Sequence, residues 1–154
     1  MNSLQFKIPN CRVLDLFAGS GALGFEALSR GAKDCVFVDL SKSAIKIIET
    51  NAKELGCGSR AKILEGNWKN LLHVIEHRGP FDLIFCDPPY AEGLELNLLN
   101  ELPFKSLLGP DGLFSLEWGK KKSVIDELPE ETFLLNKVRE KNYGDSILTH
   151  YQLK

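Results

Sequence analysis

Phe81 to Cys86 reads FDLIFC, a nearly continuous apolar run broken only by Asp82. A short run of this kind marks a strand covered on both faces, and such strands need helices on both sides of their sheet. Gly112 to Trp118 (GLFSLEW) reads as a second buried strand. Between and around these two runs the period of the apolar residues alternates. Strands are expected at Arg12–Phe17, Asp34–Leu40 and Ala61–Glu65, and helices at Ala22–Arg30, Ser43–Leu55, Trp68–Glu76 and Leu94–Leu102. The second helix carries apolar residues at 44, 45, 48, 52 and 55 and stops at Gly56-Cys57-Gly58. Lys120 to Glu127 reads as a short helix. Thr132–Lys141 and Asp145–Leu153 read as strands joined through Asn142-Tyr143-Gly144. The order βαβαβαβαβαββ predicts an α/β fold: a mostly parallel sheet of about seven strands, an antiparallel last strand, and helices on both faces.

The chain has 154 residues, consistent with one domain spanning 1–154, with 1–11 a short lead-in to the first strand. Nineteen Lys and Arg against 21 Asp and Glu give a formal charge of -2, so a polyanion would have to be met by a local patch. No apolar run approaches the ~18 residues of a membrane span, and Met1 to Asn10 hold no signal-like core. Cys11, Cys35, Cys57 and Cys86 form no CxxC pair and lie in or beside apolar stretches. Reduced core thiols in a cytoplasmic monomer are therefore expected, with no membrane partner and no metal.

In a sheet of this type ligands bind outside the carboxyl ends of the strands. That rule gathers Asp15–Gly21, Asp39, Gly66–Trp68, Asp87–Tyr90 and Glu117–Lys120 along one rim. Gly19-Ser20-Gly21-Ala22-Leu23-Gly24 matches G-x-G-x-x-G between a strand and a helix, and Asp39 ends the following strand. Taken alone, the loop fits a nicotinamide or flavin enzyme about as well as a methyltransferase. Asp15 separates them, because a carboxylate before the loop would repel a pyrophosphate but favour the sulfonium and ammonium of S-adenosylmethionine. The plainer alternative is that Asp15 only satisfies loop amides. Asp39 suits the ribose hydroxyls of either cofactor.

Asp87-Pro88-Pro89-Tyr90 follows the FDLIFC strand at the same rim. Two successive prolines hold the chain stiff and extended, so a carboxylate, a carbonyl and an aromatic face stand in fixed relation. An exocyclic amino group on a base needs that combination. Asp87 and the Pro88 carbonyl would accept its hydrogens and turn the nitrogen lone pair toward an incoming methyl, while Tyr90 stacks on the base. Positioning beside a sulfonium then supplies most of the acceleration. The alternative is a proline turn with a capping Asp and a core Tyr.

DLFAGSGALGFEALSRGA (Asp15 to Ala32), FDLIFCDPPY (Phe81 to Tyr90) and YGDSILTHYQL (Tyr143 to Leu153) together resemble the RsmD-type small-subunit ribosomal RNA guanine-N2 methyltransferases. The DPPY box is shared with adenine-N6 enzymes; the C-terminal segment carries the resemblance to the ribosomal family. The resemblance implies a Rossmann-like class I methyltransferase fold and methyl transfer from S-adenosylmethionine to the N2 amino group of a guanine in 16S ribosomal RNA, within the small subunit or its assembly intermediate. S-adenosylhomocysteine would be the product. It also implies that Asp15, Gly19 and Gly21 hold the methionine end of the cofactor and Asp39 the ribose. Phe17, Ala18, Ser20, Leu40, Asn67, Trp68 and Asp87 complete the cofactor set, and Asp87 to Tyr90 hold the guanine amino group. The family usually has an acid where this chain has Asn67, whose amide oxygen can still accept from adenine. It usually carries a basic N-terminal arm as well, whereas Lys7 is the lone cation of Met1 to Cys11.

Other patterns have ordinary readings. His73-Val74-Ile75-Glu76-His77 matches H-x-x-E-H but reads as a solvent-facing helix turn. Lys120-Lys121-Lys122 lies on the rim and is a candidate RNA contact, and Lys137, Arg139 and Lys141 alternate as if on one strand face. Three rival readings are an adenine-N6 DNA methyltransferase, a nicotinamide-dependent oxidoreductase, and a non-catalytic cofactor-binding module acting in ribosome assembly.

Overall fold

The computed structural model describes residues 8–89, 93–119 and 125–154. In chain order the elements are β1 (Arg12–Leu16), α1 (Ala22–Ser29), β2 (Asp34–Asp39), α2 (Lys42–Glu54), β3 (Ala61–Glu65), α3 (Trp68–Arg78), β4 (Phe81–Cys86), α4 (Leu94–Glu101), α5 (Phe104–Leu107), β5 (Leu108–Trp118), β6 (Leu135–Tyr143) and β7 (Ser146–Leu153). They form one seven-stranded sheet of order β3-β2-β1-β4-β5-β7-β6. The first five strands of that row pair in parallel, and β7 runs antiparallel to both β5 and β6. The strand order reverses between β1 and β4, where the crevice of an open α/β sheet opens.

Strand alternation sorts the core into two layers. Leu14, Leu16, Val36, Val38, Ile84 and Cys86 point to the side packed by α3, α4 and α5. Val13, Cys35, Phe37, Leu83 and Phe85 point to the side packed by α1 and α2. Phe37 is fully buried and stacks at 4.6 Å on Phe25 of α1. All four cysteines are buried thiols within these layers. Among the described residues no helix is long and apolar enough to cross a membrane.

The structure departs from the expected elements in three places. β5 starts at Leu108, after the unexpected short helix α5. Leu108 pairs with Phe81 and Leu113 with Leu83, so Gly109 to Gly112 form an irregularity ahead of the strand expected from Gly112. The terminal hairpin turns through Gly144-Asp145 alone, because Tyr143 pairs with Ser146 and Gly144 adopts φ 60°. A two-residue turn with positive φ matches the twist of its strands. A bulge also lies between Lys137, opposite Tyr151, and Arg139, opposite His150. One inserted residue flips the face, so Lys137 does not share a face with Arg139 and Lys141. Lys137 is instead 9% exposed and paired with Glu130 and Glu140. The expected helix at Lys120–Glu127 falls largely outside the described residues.

Gly24 sets how closely α1 approaches the sheet. A Cβ there would lie 2.8 Å from the Cys35 sulfur and run into the Phe37 ring. Gly24→Ala is therefore expected to destabilise the chain by about 1–3 kcal/mol through overpacking, read as a lower urea midpoint at unchanged slope. An unchanged midpoint would show that Phe37 yields at no cost.

Candidate functional site

Parallel register lines up the groups at the carboxyl edge. Phe37, Asp15, Phe85 and Ser115 form one row across β2, β1, β4 and β5. Two residues further along each strand the chain delivers Asp39, Phe17, Asp87 and Glu117 to the rim. These are the chemistry-bearing positions of the crevice.

Asp39 ties the glycine loop to the end of β2. Its Oδ2 accepts from the Gly19 amide and its Oδ1 from the Ser41 amide, both at 2.8 Å. The Ala18 amide bonds to the Val38 carbonyl, also against β2. The loop backbone is left-handed at Phe17 (φ 56°), Gly19 (φ 61°) and Gly21 (φ 80°). For Phe17 this is an uncommon state, maintained by the hydrogen bonds around it. At Gly21 any side chain would also meet the Phe25 ring. Ser20 is exposed, and its carbonyl accepts from the Asn51 side chain.

Asp15 sits beneath the loop, 3% exposed, with Oδ2 accepting from the Gly24 amide at 3.1 Å. Burial pushes its pKa well up, against the lowering effect of that amide and with Asp87 and Asp39 adding to the rise. One oxygen of Asp15 thus satisfies a backbone amide in α1, beside the glycine loop.

Two cavities share the walls Phe17, Asp39, Leu40 and Pro89. One, of about 310 Å³, continues to Gly66, Asn67, Trp68, Lys69, Leu94, Asn97 and Glu101. The other, of about 450 Å³, reaches Ser41 and Asp87. Leu40 is 67% exposed, an apolar surface held open to the crevice. Asn67 caps α3, its Oδ1 accepting from the Lys69 amide at 2.9 Å. That bond engages one lone pair of the oxygen expected to meet adenine. Trp68 is largely buried beneath, and Lys69 is paired with Glu101 at 3.2 Å.

At the far end Asp87 and Pro89 line the crevice, and Pro88 is buried. The Asp87 side chain is hydrogen-bonded to Glu117, the next position on the neighbouring strand. Loss of water pushes Glu117 up to about 7, and the adjacent Asp87 charge and hydrogen bond push the same way. Loss of water raises Asp87 too, while the bond from Glu117 lowers it. The shared hydrogen bond raises Glu117 and lowers Asp87, so Glu117 is the donor of the pair below about pH 7. Sequence reasoning put Glu117 on the rim without a role, because its partner is 30 positions away in the chain.

Tyr90 and Lys120, Lys121 and Lys122 lie outside the described residues. His73 and His77 are exposed on α3, and Glu76 accepts from Ser106 Oγ at 2.7 Å. Gly66 was expected on the rim, whereas Lys69, Leu94, Asn97 and Glu101 were not expected in the crevice. The last three come from α4, whose own helical pattern says nothing of what it faces.

A family model described as "Conserved hypothetical protein 95" matches residues 1–152. The chain is 35% identical over 144 residues to ribosomal RNA small subunit methyltransferase D of Haemophilus influenzae, covering 93% of this chain and 72% of that protein. The protein of the same name from Buchnera aphidicola is 36% identical over 118 residues, covering 77% of this chain and 61% of its own length. The solved structure of a conserved hypothetical protein of Streptococcus pyogenes superposes with a TM-score of 0.81 at 34% identity, covering 95% of this chain and 88% of that one.

Asp39→Asn tests the tether directly. An amide offers one oxygen to two donors and sets its own NH2 against the other. A local cost of about 1–3 kcal/mol is expected, appearing as faster hydrogen exchange at the Gly19 or Ser41 amide. Unchanged exchange at both amides would show that Asp39 does not hold the loop.

Proposed function

The chain belongs to the RsmD-type family, and on that footing we propose that it transfers a methyl group from S-adenosylmethionine to the N2 amino group of a guanine in small-subunit ribosomal RNA. The observation that carries the reading is the continuous crevice across the β1/β4 reversal, with Asp39 and Leu40 along it and Asp87-Pro88-Pro89 at one end. The names of the relatives support ribosomal RNA methylation. The guanine N2 target rests on the sequence resemblance together with the DPPY chemistry.

The residues present fit the cofactor. Leu40, Phe17, Trp68 and Pro89 offer apolar surfaces to a purine, and Asp39 retains lone pairs for ribose hydroxyls beyond those engaged by the loop. Lys69 is the single cation lining either cavity among the described residues, and Glu101 engages it. Acids with no unpaired cation among the described lining residues suit a positively charged tail better than a pyrophosphate.

When bound, S-adenosylmethionine supplies an electrophilic methyl on a sulfonium. Asp87 and the Pro88 carbonyl accept the hydrogens of the target amine and orient its lone pair. As that lone pair forms the N–C bond, the electrons of the C–S bond leave with sulfur. The nitrogen sheds one proton to the Asp87 carboxylate, which passes it to water at the open rim. Proline on either side of the acceptor carbonyl limits the motion that would misalign it.

Calorimetric titration with S-adenosylhomocysteine, beside a nicotinamide dinucleotide as control, is expected to show saturable binding of the first alone. Asp87→Ala is expected to lower transfer to unmodified small subunits by about 100-fold or more while product-cofactor affinity stays within a few-fold. Binding of the dinucleotide alone, or methyl appearing on adenine, would overturn the reading.

A further inference from the structure

The crevice contains a second carboxyl that the transfer chemistry above does not use. Glu117, next to last in β5, lies one strand away from Asp87, half-buried, and the two side chains are hydrogen-bonded. Their closeness follows from the parallel register, in which Cys86 lies opposite Leu116 and the next residues are Asp87 and Glu117. Two carboxylates at this distance repel unless one proton is shared between them.

We propose that Glu117 is a positioning residue for methyl transfer: its carboxyl proton binds one oxygen of Asp87 and holds the other toward the amine to be methylated. This inference rests on the transfer reading given above. Asp87 follows a strand end and leads into a proline pair, so one hydrogen bond from the Glu117 side chain fixes its rotamer. Among the described residues, the other groups around the pair do not supply that bond. Asp15 on β1 is buried and bonded to Gly24, and Asp39 on β2 holds Gly19 and Ser41. The Cys86 thiol is pushed well up by burial and stays protonated. On β7, Leu148 lies opposite Glu117 and His150 opposite Ser115. Burial and nearby Arg139 hold His150 down to about 4, so it is neutral. Arg139 on β6 stands behind His150, one strand further out.

The sign of the pH dependence follows. Glu117 is shifted upward to about 7, so the donor form is present below that pH and is lost above it. Transfer by the wild-type chain at saturating cofactor is expected to fall above about pH 7, toward tenfold per unit. Glu117→Gln keeps a donor at every pH and should hold the rate through pH 9 without that fall. Glu117→Ala should lower kcat by about 100-fold, the loss that an ångström-scale misplacement brings, with S-adenosylhomocysteine affinity unchanged. A Glu117→Gln variant as impaired as Glu117→Ala would overturn the donor role.

The second readout needs no turnover. In a carbon-13 carboxyl titration by NMR, the Glu117 side chain should titrate near 7 and move down toward its ordinary value of 4.5 in Asp87→Asn. Titration near 4.5 in the wild-type chain overturns this inference alone, even with transfer intact. A wild-type chain that titrates as expected and binds S-adenosylhomocysteine, yet transfers no methyl to unmodified small subunits, overturns the transfer reading and the role of Glu117 with it.

Discussion

The hydrogen-bond register of four parallel strands is the constraint on which the crevice depends. Because β2, β1, β4 and β5 run in one direction, their carboxyl ends finish together, and their last side chains arrive as a row. Parallel pairing requires long crossovers, and the helices that provide them also cover both faces of the sheet. The same geometry that buries FDLIFC therefore exposes Asp87 one residue later. A shift of one residue in β4 would turn Asp87 to the other face and leave Glu117 without a partner.

Carboxylates dominate that row, and each is held in a different way. Asp39 is fixed by two loop amides and Asp15 by one helix amide beneath the loop. Asp87 is fixed by a neighbouring carboxyl. Acids that converge in this manner must be relieved by hydrogen bonds, by protonation or by a cationic ligand. Amides relieve Asp39 and Asp15, and a shared proton relieves the Asp87–Glu117 pair. The sulfonium of the proposed cofactor would add further compensation between them.

The edge of the sheet away from the crevice is secured by side chains rather than by helices. Trp118 donates to Thr149, which donates to Glu140, and Glu140 pairs with Lys137. Tyr151 is fully buried and donates to the Pro129 carbonyl at 2.7 Å. The bulge at Val138 makes this network possible by turning Lys137 inward, toward Glu130 and the Leu128 carbonyl. Alternation counted along the sequence has no means of registering an inserted residue, so it placed Lys137 with Arg139 and Lys141.

Periodicity, the glycine loop and the DPPY box were enough to read the α/β class, the parallel sheet and the rim from the amino-acid sequence. Those features are local: a buried strand must be apolar throughout, a tight strand-to-helix turn must contain glycine, and two prolines must be extended. Which groups meet across the crevice depends on partners far apart in the chain. Asp15 turned under the loop because the α1 amide at Gly24 was within reach. The Asn67 oxygen went to the α3 cap. Glu117 is raised to about 7 by loss of water first and by the neighbouring Asp87 second. The chain determined which chemistry could be present at the rim; the packing of strands against one another decided each group's neighbours, and through them its charge and direction.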